Sequence, residues 1–166
     1  MNRIIPAVIR PLGPADAEEL AALYARNRDF LRPFEPERDE RFFTVAEQRE
    51  RIARSPHQHA ILDGCDIAGT IALENVVRGA SQSATVSYWV DRDRNGRGLA
   101  SRAVAGIAAH AAGAMGLHRL QAPVLTDNLA SQRVLEKNGF ERVGVARSYL
   151  HVGGAWRDHV LFQRIL

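Results

Sequence analysis

The sequence DRDRNGRGLASRAV, from Asp91 to Val104, joins a strand-like segment to a helix-like segment. It places Gly96 and Gly98 two residues apart among four arginines. Glycine allows a positive φ and lets a ligand approach the backbone closely. The first turn of the helix that follows has amides without intrahelical partners. The stretch therefore predicts either a plain strand-to-helix turn or a cradle for a phosphate-bearing ligand.

Two better-known phosphate motifs are excluded by residues that this stretch lacks. No Lys-Ser/Thr pair follows Gly98, as a P-loop requires, and the third glycine of a dinucleotide-binding fingerprint is absent. The backbone amides of residues 96–101 are candidate ligands of a pyrophosphate, and Arg94 and Arg97 could add positive charge.

The composition is that of an ordinary globular protein, with 46% hydrophobic and 25% charged residues. A chain of 166 residues predicts one domain over residues 1–166. The net charge is only +3, and the arginines are interleaved with acids along the chain. This pattern argues against a nucleic-acid surface.

Targeting and metal binding have no signal in the sequence. Cys65 is the single cysteine, so we expect no internal disulfide and no cysteine-based metal cluster, and we predict no metal site. Pro6 and Arg10 interrupt the N-terminal stretch before the apolar core of a signal peptide could form. No segment is long and apolar enough to span a bilayer. We expect a cytoplasmic protein without membrane partners.

Apolar periodicity and turn residues predict the order β-α-α-β-β-β-α-β-α-β-β. Hairpin strands precede a β-α-β unit, so the sheet should be mixed. The helix over 99–115 is apolar nearly all round, which predicts that it is packed closely. The predicted strands are 7–13, 59–63, 66–75, 83–91, 117–125, 141–152 and 155–165; the predicted helices are 14–27, 44–55, 99–115 and 126–140, and 30–43 is an irregular link.

Two stretches together, residues 86–104 and residues 117–144, resemble the acetyl-CoA core of the GNAT superfamily of N-acetyltransferases. The family pattern Gln/Arg-x-x-Gly-x-Gly/Ala reads here from Asn95 to Ala100, with asparagine at the first position. The segment DNLASQRVLEKNGF, from Asp127 to Phe140, is the more specific half of the resemblance. The likeness implies an α/β (α+β) GNAT fold with a mixed, mostly antiparallel sheet of about seven strands and about four helices.

Two further stretches narrow the resemblance to one branch. FLRPFEPERDE (Phe30–Glu40) and SYLHVGGAWRDHVL (Ser148–Leu161) are similar to RimJ-type enzymes, which acetylate the N-terminal amine of ribosomal proteins, alanine in the case of RimJ. The resemblance then covers nearly the whole chain.

Acetyl-CoA is the acetyl donor that the resemblance implies. The strand edge Tyr88–Val90 would pair with the pantetheine arm, and the amide of Val90 or Trp89 would stabilise the oxyanion. Asn128 is either an N-cap or a ligand of the pantetheine. The remaining implied contacts come from the loop and the first helical turn: Asn95, Gly96, Arg97, Gly98, Leu99, Ala100 and Ser101.

Catalysis requires an acid for the leaving thiolate and a route for the amine proton. Leu135 stands where many superfamily members carry a tyrosine that protonates the leaving thiolate. Ser131, one helical turn earlier, matches a serine that is given the same role in the Rim branch. Leu150 stands where a RimL-type glutamate would lie. Glu74 is therefore the candidate base, directly or through a water, with Tyr149, His151 and Asp158 as alternatives.

The acceptor should lie against the link between the first two helices. Phe34, Glu35 and Glu37 are the candidate acceptor residues there, together with Tyr149, because acids would suit a cationic amine or a basic peptide. Three hypotheses follow: an N-terminal protein acetyltransferase of RimJ type, an acetyltransferase for a small amine such as an antibiotic or polyamine, and a CoA-binding module without turnover. Exposed sheet edges make a homodimer plausible.

Overall fold

The computed structural model describes residues 8–166. Ala7, the first residue of the predicted first strand, lies outside this range. No helix within the described range is long and apolar enough to cross a bilayer.

Seven strands and five α-helices form within residues 8–166. The strands are β1 (Ile9–Pro11), β2 (Gln58–Asp63), β3 (Asp66–Val77), β4 (Ser83–Val90), β5 (Arg119–Leu125), β6 (Glu141–Val152) and β7 (Ala155–Ile165). The helices are α1 (Ala17–Arg26), α2 (Arg28–Leu31), α3 (Val45–Arg54), α4 (Leu99–Gly113) and α5 (Leu129–Lys137), with 3-10 turns at Pro14–Asp16, Glu40–Phe43 and Arg92–Arg94.

The element order agrees with the prediction except for the one-turn helix α2. The predicted helix over 14–27 ends at Asn27, whose buried side chain donates to the Leu23 carbonyl at 3.0 Å. The chain then forms one further helical turn, Arg28–Leu31, which overlaps the first two residues of the predicted irregular link over 30–43. The number of helices is therefore five rather than four.

The strands form one sheet in the order β1-β2-β3-β4-β5-β7-β6. Every neighbouring pair is antiparallel except β4 and β5, which are parallel and are joined by the crossover helix α4. The predicted mixed, mostly antiparallel sheet is confirmed.

Helices cover both faces of the sheet. The side chains of β4 show this, because successive side chains of a strand point to opposite faces. Val86 and Val90 pack in the same cluster as Ile107 of α4 and Leu135 of α5. Trp89 points the other way and packs against Tyr24 of α1, at 4.7 Å between ring centroids. Helices α4 and α5 therefore lie on one face, and α1 and α3 on the other.

Helix α4 packs closely in the main core along one side and is exposed on the other. Its inward residues are buried, whereas Ala105, Ala109 and Ala112 are exposed. Alanine has the highest helix propensity and exposes little apolar surface. A run of alanines therefore looks apolar in sequence without requiring a second packing partner.

Candidate active site

Strands β4 and β5 separate along their length and open a groove in the sheet. They pair only from Ser83 to Thr85 on β4 and from Arg119 to Gln121 on β5. Beyond this point β4 continues along β3, while β5 continues along β7. The inner edge of β4 after Thr85 is consequently left without a strand partner.

The direction of the β4 amides decides which of them can contact a ligand in this groove. The Asp91 amide donates to the Ala68 carbonyl on β3 at 2.7 Å. Backbone groups alternate in direction along a strand, so those of Trp89 also face β3, and those of Tyr88 and Val90 face the groove. Of the two amides predicted to stabilise the oxyanion, the Val90 amide has the required direction and the Trp89 amide does not.

The helix that follows the glycine loop has no side-chain cap at its N-terminus. Gly96 and Gly98 have φ of +78° and +74°, and Gly98 is the N-cap of α4 without a side-chain cap. The first intrahelical bond runs from the Arg102 amide to the Gly98 carbonyl at 3.1 Å. The amides of residues 99–101 therefore have no intrahelical acceptor, and their place at the positive end of the helix dipole suits an anion.

The arginines of this loop are paired with carboxylates. Arg97 lies 2.9 Å from Asp63 Oδ2, and Arg94 lies 3.0 Å from Asp66 Oδ2. Arg94 is mostly covered, with 19% of its side chain exposed, whereas 57% of the Arg97 side chain is exposed. An exposed ion pair is weak. Arg97 is therefore the arginine that can turn toward a phosphate, while Arg94 holds the loop to the β2–β3 turn.

A buried carboxylate anchors the start of the loop. Asp91 is 2% exposed and accepts hydrogen bonds from Arg26 and from Asn27 Nδ2, the latter at 3.1 Å. Burial by itself would raise the pKa of Asp91, but these hydrogen bonds outweigh burial and lower it. Asn27 Oδ1 also accepts from the Arg92 amide at 2.9 Å. The end of α1 thus fixes where the glycine loop begins.

Asn128 caps helix α5 and still offers a donor. Its Oδ1 accepts from the Ser131 amide at 3.1 Å, which is the N-cap geometry predicted as one alternative. Its Nδ2 is not used by the cap, and the residue lines the same cleft as Ser131. The two predicted roles are therefore compatible. The Ser131 hydroxyl lies 2.8 Å from the Tyr88 hydroxyl.

A cleft of about 690 Å³ joins the groove to the link between α2 and α3. Predicted donor-site, catalytic and acceptor residues share this cleft: Phe34, Glu35, Glu74, Tyr88, Trp89, Asn128 and Ser131 all line it. The loop residues Asn95–Ser101 lie outside the cleft, beyond the end of β4. This arrangement suits a long ligand with its phosphates on the loop and its other end in the groove.

Glu35 and Glu74 occupy different environments within the cleft. Burial raises the pKa of Glu35, although Arg38, 3.6 Å away, opposes the shift. Glu74 is exposed, and its carboxylate accepts from the Ser87 hydroxyl at 2.9 Å. Phe34 is 41% exposed and can contact a bound acceptor.

Two predicted acceptor residues do not line this cleft. Glu37 is exposed and lines two smaller pockets, one beside α1 and α2 and the other beside α3. Tyr149 lies in the irregular part of β6 between Ala146 and Leu150, where the register with β7 shifts, and its ring packs on His159 at 5.8 Å. Tyr149 thus contacts a residue of the cleft, His159, without lining the cleft itself.

The alternative bases also differ in their surroundings. Asp158 accepts from the Ser148 amide at 2.8 Å, so its carboxylate has a structural partner. His151 lines the cleft and packs on Trp156, with ring centroids 5.5 Å apart.

The sequence did not indicate several basic residues of the cleft, among them Arg38, Arg51 and His57. The guanidinium groups of Arg38 and Arg51 lie 4.4 and 4.9 Å from the centroid of the Phe42 ring. These residues come from the link, from α3 and from the segment before β2, so no local motif connects them. The end of the cleft beside the link therefore carries a carboxylate, Glu35, as well as positive charge.

The sequence and the fold were compared with known proteins. A family model described as an acetyltransferase (GNAT) domain matches residues 7–141. The chain is 37% identical to the probable N-acetyltransferase YjcK of Bacillus subtilis, with 91% of this chain and 89% of the relative covered. It is 33% identical to the [ribosomal protein uS5]-alanine N-acetyltransferase of Escherichia coli, with 93% and 84% covered.

Solved structures give the same result. The ribosomal-protein-S5-alanine acetyltransferase of Vibrio fischeri superposes with a TM-score of 0.91 at 31% identity, with 95% of this chain and 91% of that chain covered. Mycobacterium smegmatis RimJ, solved with CoA-disulfide, superposes with a TM-score of 0.89 at 31% identity, with 95% and 80% covered.

The split β4–β5 groove, the glycine loop and these similarities place the chain in the GNAT family of acetyltransferases. It is an acetyl-CoA-dependent N-acetyltransferase. Acetyl-CoA is its donor substrate, and the amides of the loop and of the β4 edge suit the phosphates and the pantetheine arm.

Proposed function

We propose that this enzyme acetylates the N-terminal α-amine of a protein, alanine or a similar small residue, with a ribosomal protein as the leading acceptor. The observation that carries the proposal is the similarity over 93% of the chain to the E. coli enzyme named for uS5 alanine. The cleft supports it, because one continuous space runs from the β4–β5 groove to the link at Phe34 and Glu35.

The acceptor amine would enter from the link side of the cleft. An α-amine has an ordinary pKa near 8, so a useful fraction is neutral between pH 7 and 8. Glu35 would attract the ammonium form of the amine. Glu74 would take the amine proton, directly or through a water, because its carboxylate is exposed and lines the same cleft.

The transfer itself would be a direct attack in a ternary complex. The nitrogen adds to the thioester carbonyl, and the Val90 amide donates a hydrogen bond to the developing oxyanion. The C–S bond then breaks and the sulfur leaves with the electron pair. Ser131 gives its hydroxyl proton to the sulfur and regains a proton from solvent, so one proton leaves the nitrogen and one reaches the sulfur.

Four further properties belong to the proposal. We infer one domain over residues 1–166, since the seven strands found within residues 8–166 join a single sheet. We infer a cytoplasmic site of action from the ribosomal acceptor, and no nucleic-acid ligand because the loop arginines pair with carboxylates. Exposed Val143 and Val145 on the edge strand β6 favour a homodimer, which light scattering would test.

Thiol release from acetyl-CoA tests the acceptor class. The panel contains short peptides that differ only in the first residue, polyamines and aminoglycosides. We expect kcat/KM to be highest for peptides that begin with alanine or serine. Turnover of small amines alone would replace this proposal with a detoxifying acetyltransferase, and loss of turnover with Ser131→Ala at unchanged acetyl-CoA affinity would support the acid role.

A further inference from the structure

The hydroxyl of Tyr88 is paired with the residue that should protonate the leaving sulfur. Tyr88 Oη lies 2.8 Å from Ser131 Oγ and 3.2 Å from the Ser131 carbonyl oxygen. Neither hydroxyl has another hydrogen-bond partner among residues 8–166. Both residues line the cleft, Tyr88 from the open edge of β4 and Ser131 from the first turn of α5.

The tyrosine determines the direction in which the serine proton points. A tyrosine hydroxyl carries one proton, and a serine hydroxyl can donate one hydrogen bond while accepting others. When Tyr88 donates to Ser131 Oγ, the Ser131 proton is left for a group in the cleft. When Tyr88 donates to the Ser131 carbonyl instead, the Ser131 proton is directed back to the tyrosine oxygen. The 2.8 Å separation is typical of an O–H···O bond and is the shorter of the two contacts.

We propose that Tyr88 is a positioning residue for acetyl transfer: its hydroxyl donates to Ser131 Oγ and holds the Ser131 proton toward the leaving sulfur. This inference rests on the proposed function, in which Ser131 protonates that sulfur. As the C–S bond breaks, the sulfur takes the electron pair and the Ser131 proton. Tyr88 keeps its own proton and strengthens its hydrogen bond to Oγ while negative charge develops there.

Two features of Tyr88 suit this role. Its ring packs against the main core, which holds the hydroxyl in place. Burial raises the pKa of Tyr88 to about 12, and the hydroxyl therefore remains a donor at every pH at which the enzyme would act on an α-amine. Serine and tyrosine together thus form a preorganised donor, which a serine alone on the exposed face of a helix turn would not.

A structural role for the same hydrogen bond makes different predictions. If the bond only ties α5 to the sheet, loss of either hydroxyl would lower the melting temperature, and the rate would fall because the fold loosens. If it aims the Ser131 proton, Tyr88→Phe lowers the rate with little change in the melting temperature, and this effect requires the Ser131 hydroxyl. Melting temperatures measured beside a double-mutant cycle on the chemical step separate the two roles, and a rate loss that follows the melting temperature would overturn the positioning role.

The experiment measures single-turnover rates of acetyl transfer to an alanine-initiated peptide for wild type, Tyr88→Phe, Ser131→Ala and the double variant. We expect Tyr88→Phe to lower the rate about tenfold in the wild-type background and less than twofold in Ser131→Ala, with acetyl-CoA affinity within twofold throughout. Ser131→Thr, which keeps a hydroxyl, should restore the sensitivity to Tyr88→Phe.

The outcomes distinguish this inference from the proposed function. Equal effects of Tyr88→Phe in both backgrounds, or no effect in wild type, would overturn the positioning role. An unchanged rate for Ser131→Ala would remove Ser131 from the mechanism and the inference with it. Absence of transfer to any peptide, with retained transfer to a small amine, would overturn the acceptor class alone, and the same cycle would then be run with that amine.

Discussion

Gly69 of β3 lies directly against the carbonyl oxygen of Trp89 on β4. A Cβ atom at Gly69 would overlap that oxygen and would lie 2.9 Å from the Val90 Cα. These are backbone atoms, which cannot move aside as a flexible side chain can. Glycine at 69 thus permits the close approach of β3 and β4 that leaves the Val90 amide facing the groove.

Gly69→Ala should therefore damage both the fold and the donor site. Forcing a methyl group into this contact would displace β4, at a cost of about 1–3 kcal/mol. We expect a lower melting temperature and at least a tenfold weaker acetyl-CoA affinity by calorimetry. Gly144→Ala is the matched control, because a Cβ there meets nothing within 4 Å and its φ is not positive. Equal behaviour of the two variants would contradict the argument.

Gly98→Val tests the glycine cradle at the N-terminus of α4. The residue has φ of +74° and open space around it, so valine would strain the backbone without a clash. We expect acetyl-CoA affinity to fall by more than tenfold because the amides of residues 99–101 lose their alignment. Gly79→Val is the control. Gly79 has a φ of +67° and lies just before β4 begins, far from the glycine loop in the sequence, so this variant imposes similar strain and should leave acetyl-CoA affinity unchanged. Normal binding by Gly98→Val would mean that the phosphates bind elsewhere.

Asn128 can be tested for its two functions separately. Asn128→Asp keeps the oxygen that caps α5 but replaces the free amide donor with a second oxygen, whereas Asn128→Ala removes both. We expect thermal unfolding to show a loss of about 1 kcal/mol for alanine and almost none for aspartate. Acetyl-CoA affinity should fall in both variants. Unchanged affinity in Asn128→Asp would leave Asn128 as a helix cap alone.

His59 should make the fold less stable as the pH falls. Its pKa is lowered, chiefly by burial, and the nearby His110 and His57 add positive charge when protonated. The folded state then binds fewer protons than the unfolded state. Above the unfolded pKa of about 6.5, His59 is neutral in both states and does not lower the free energy of unfolding. As the pH falls below that value, the unfolded state binds the proton more readily, and the free energy of unfolding decreases.

Urea unfolding between pH 7.5 and 5 measures this effect. A single proton gives a slope of at most about 1.4 kcal/mol per pH unit. His59→Gln should flatten the profile over this interval. An unchanged slope in the variant would assign the pH dependence to other groups.

The sequence predicts the elements of this fold well because their signals are local. Thr44 accepts from the Glu47 amide at 3.3 Å and begins α3, and Gly139 follows the end of α5 with φ of +74°. These features depend on a few neighbouring residues. The glycine loop and the order of the elements along the chain on either side of it could be predicted for the same reason.

The residues that sequence could not assign depend on register and on distant partners. Whether Val90 or Trp89 faces the groove depends on which β4 residues pair with β3, and the contact of Tyr88 with Ser131 joins residues 43 positions apart. Glu35 lines the large cleft, whereas Glu37, two residues later, does not. No pattern within one segment distinguishes such neighbours.

The site of acetylation on a single peptide tests the central claim most directly. The peptide begins with alanine and carries one internal lysine, so it offers an α-amine and an ε-amine in the same molecule. After incubation with enzyme and acetyl-CoA, fragment masses locate the added acetyl group. We predict acetylation of the alanine nitrogen alone. Acetylation of the lysine, or none of the peptide while a small amine is modified, would contradict the assignment to protein N-termini.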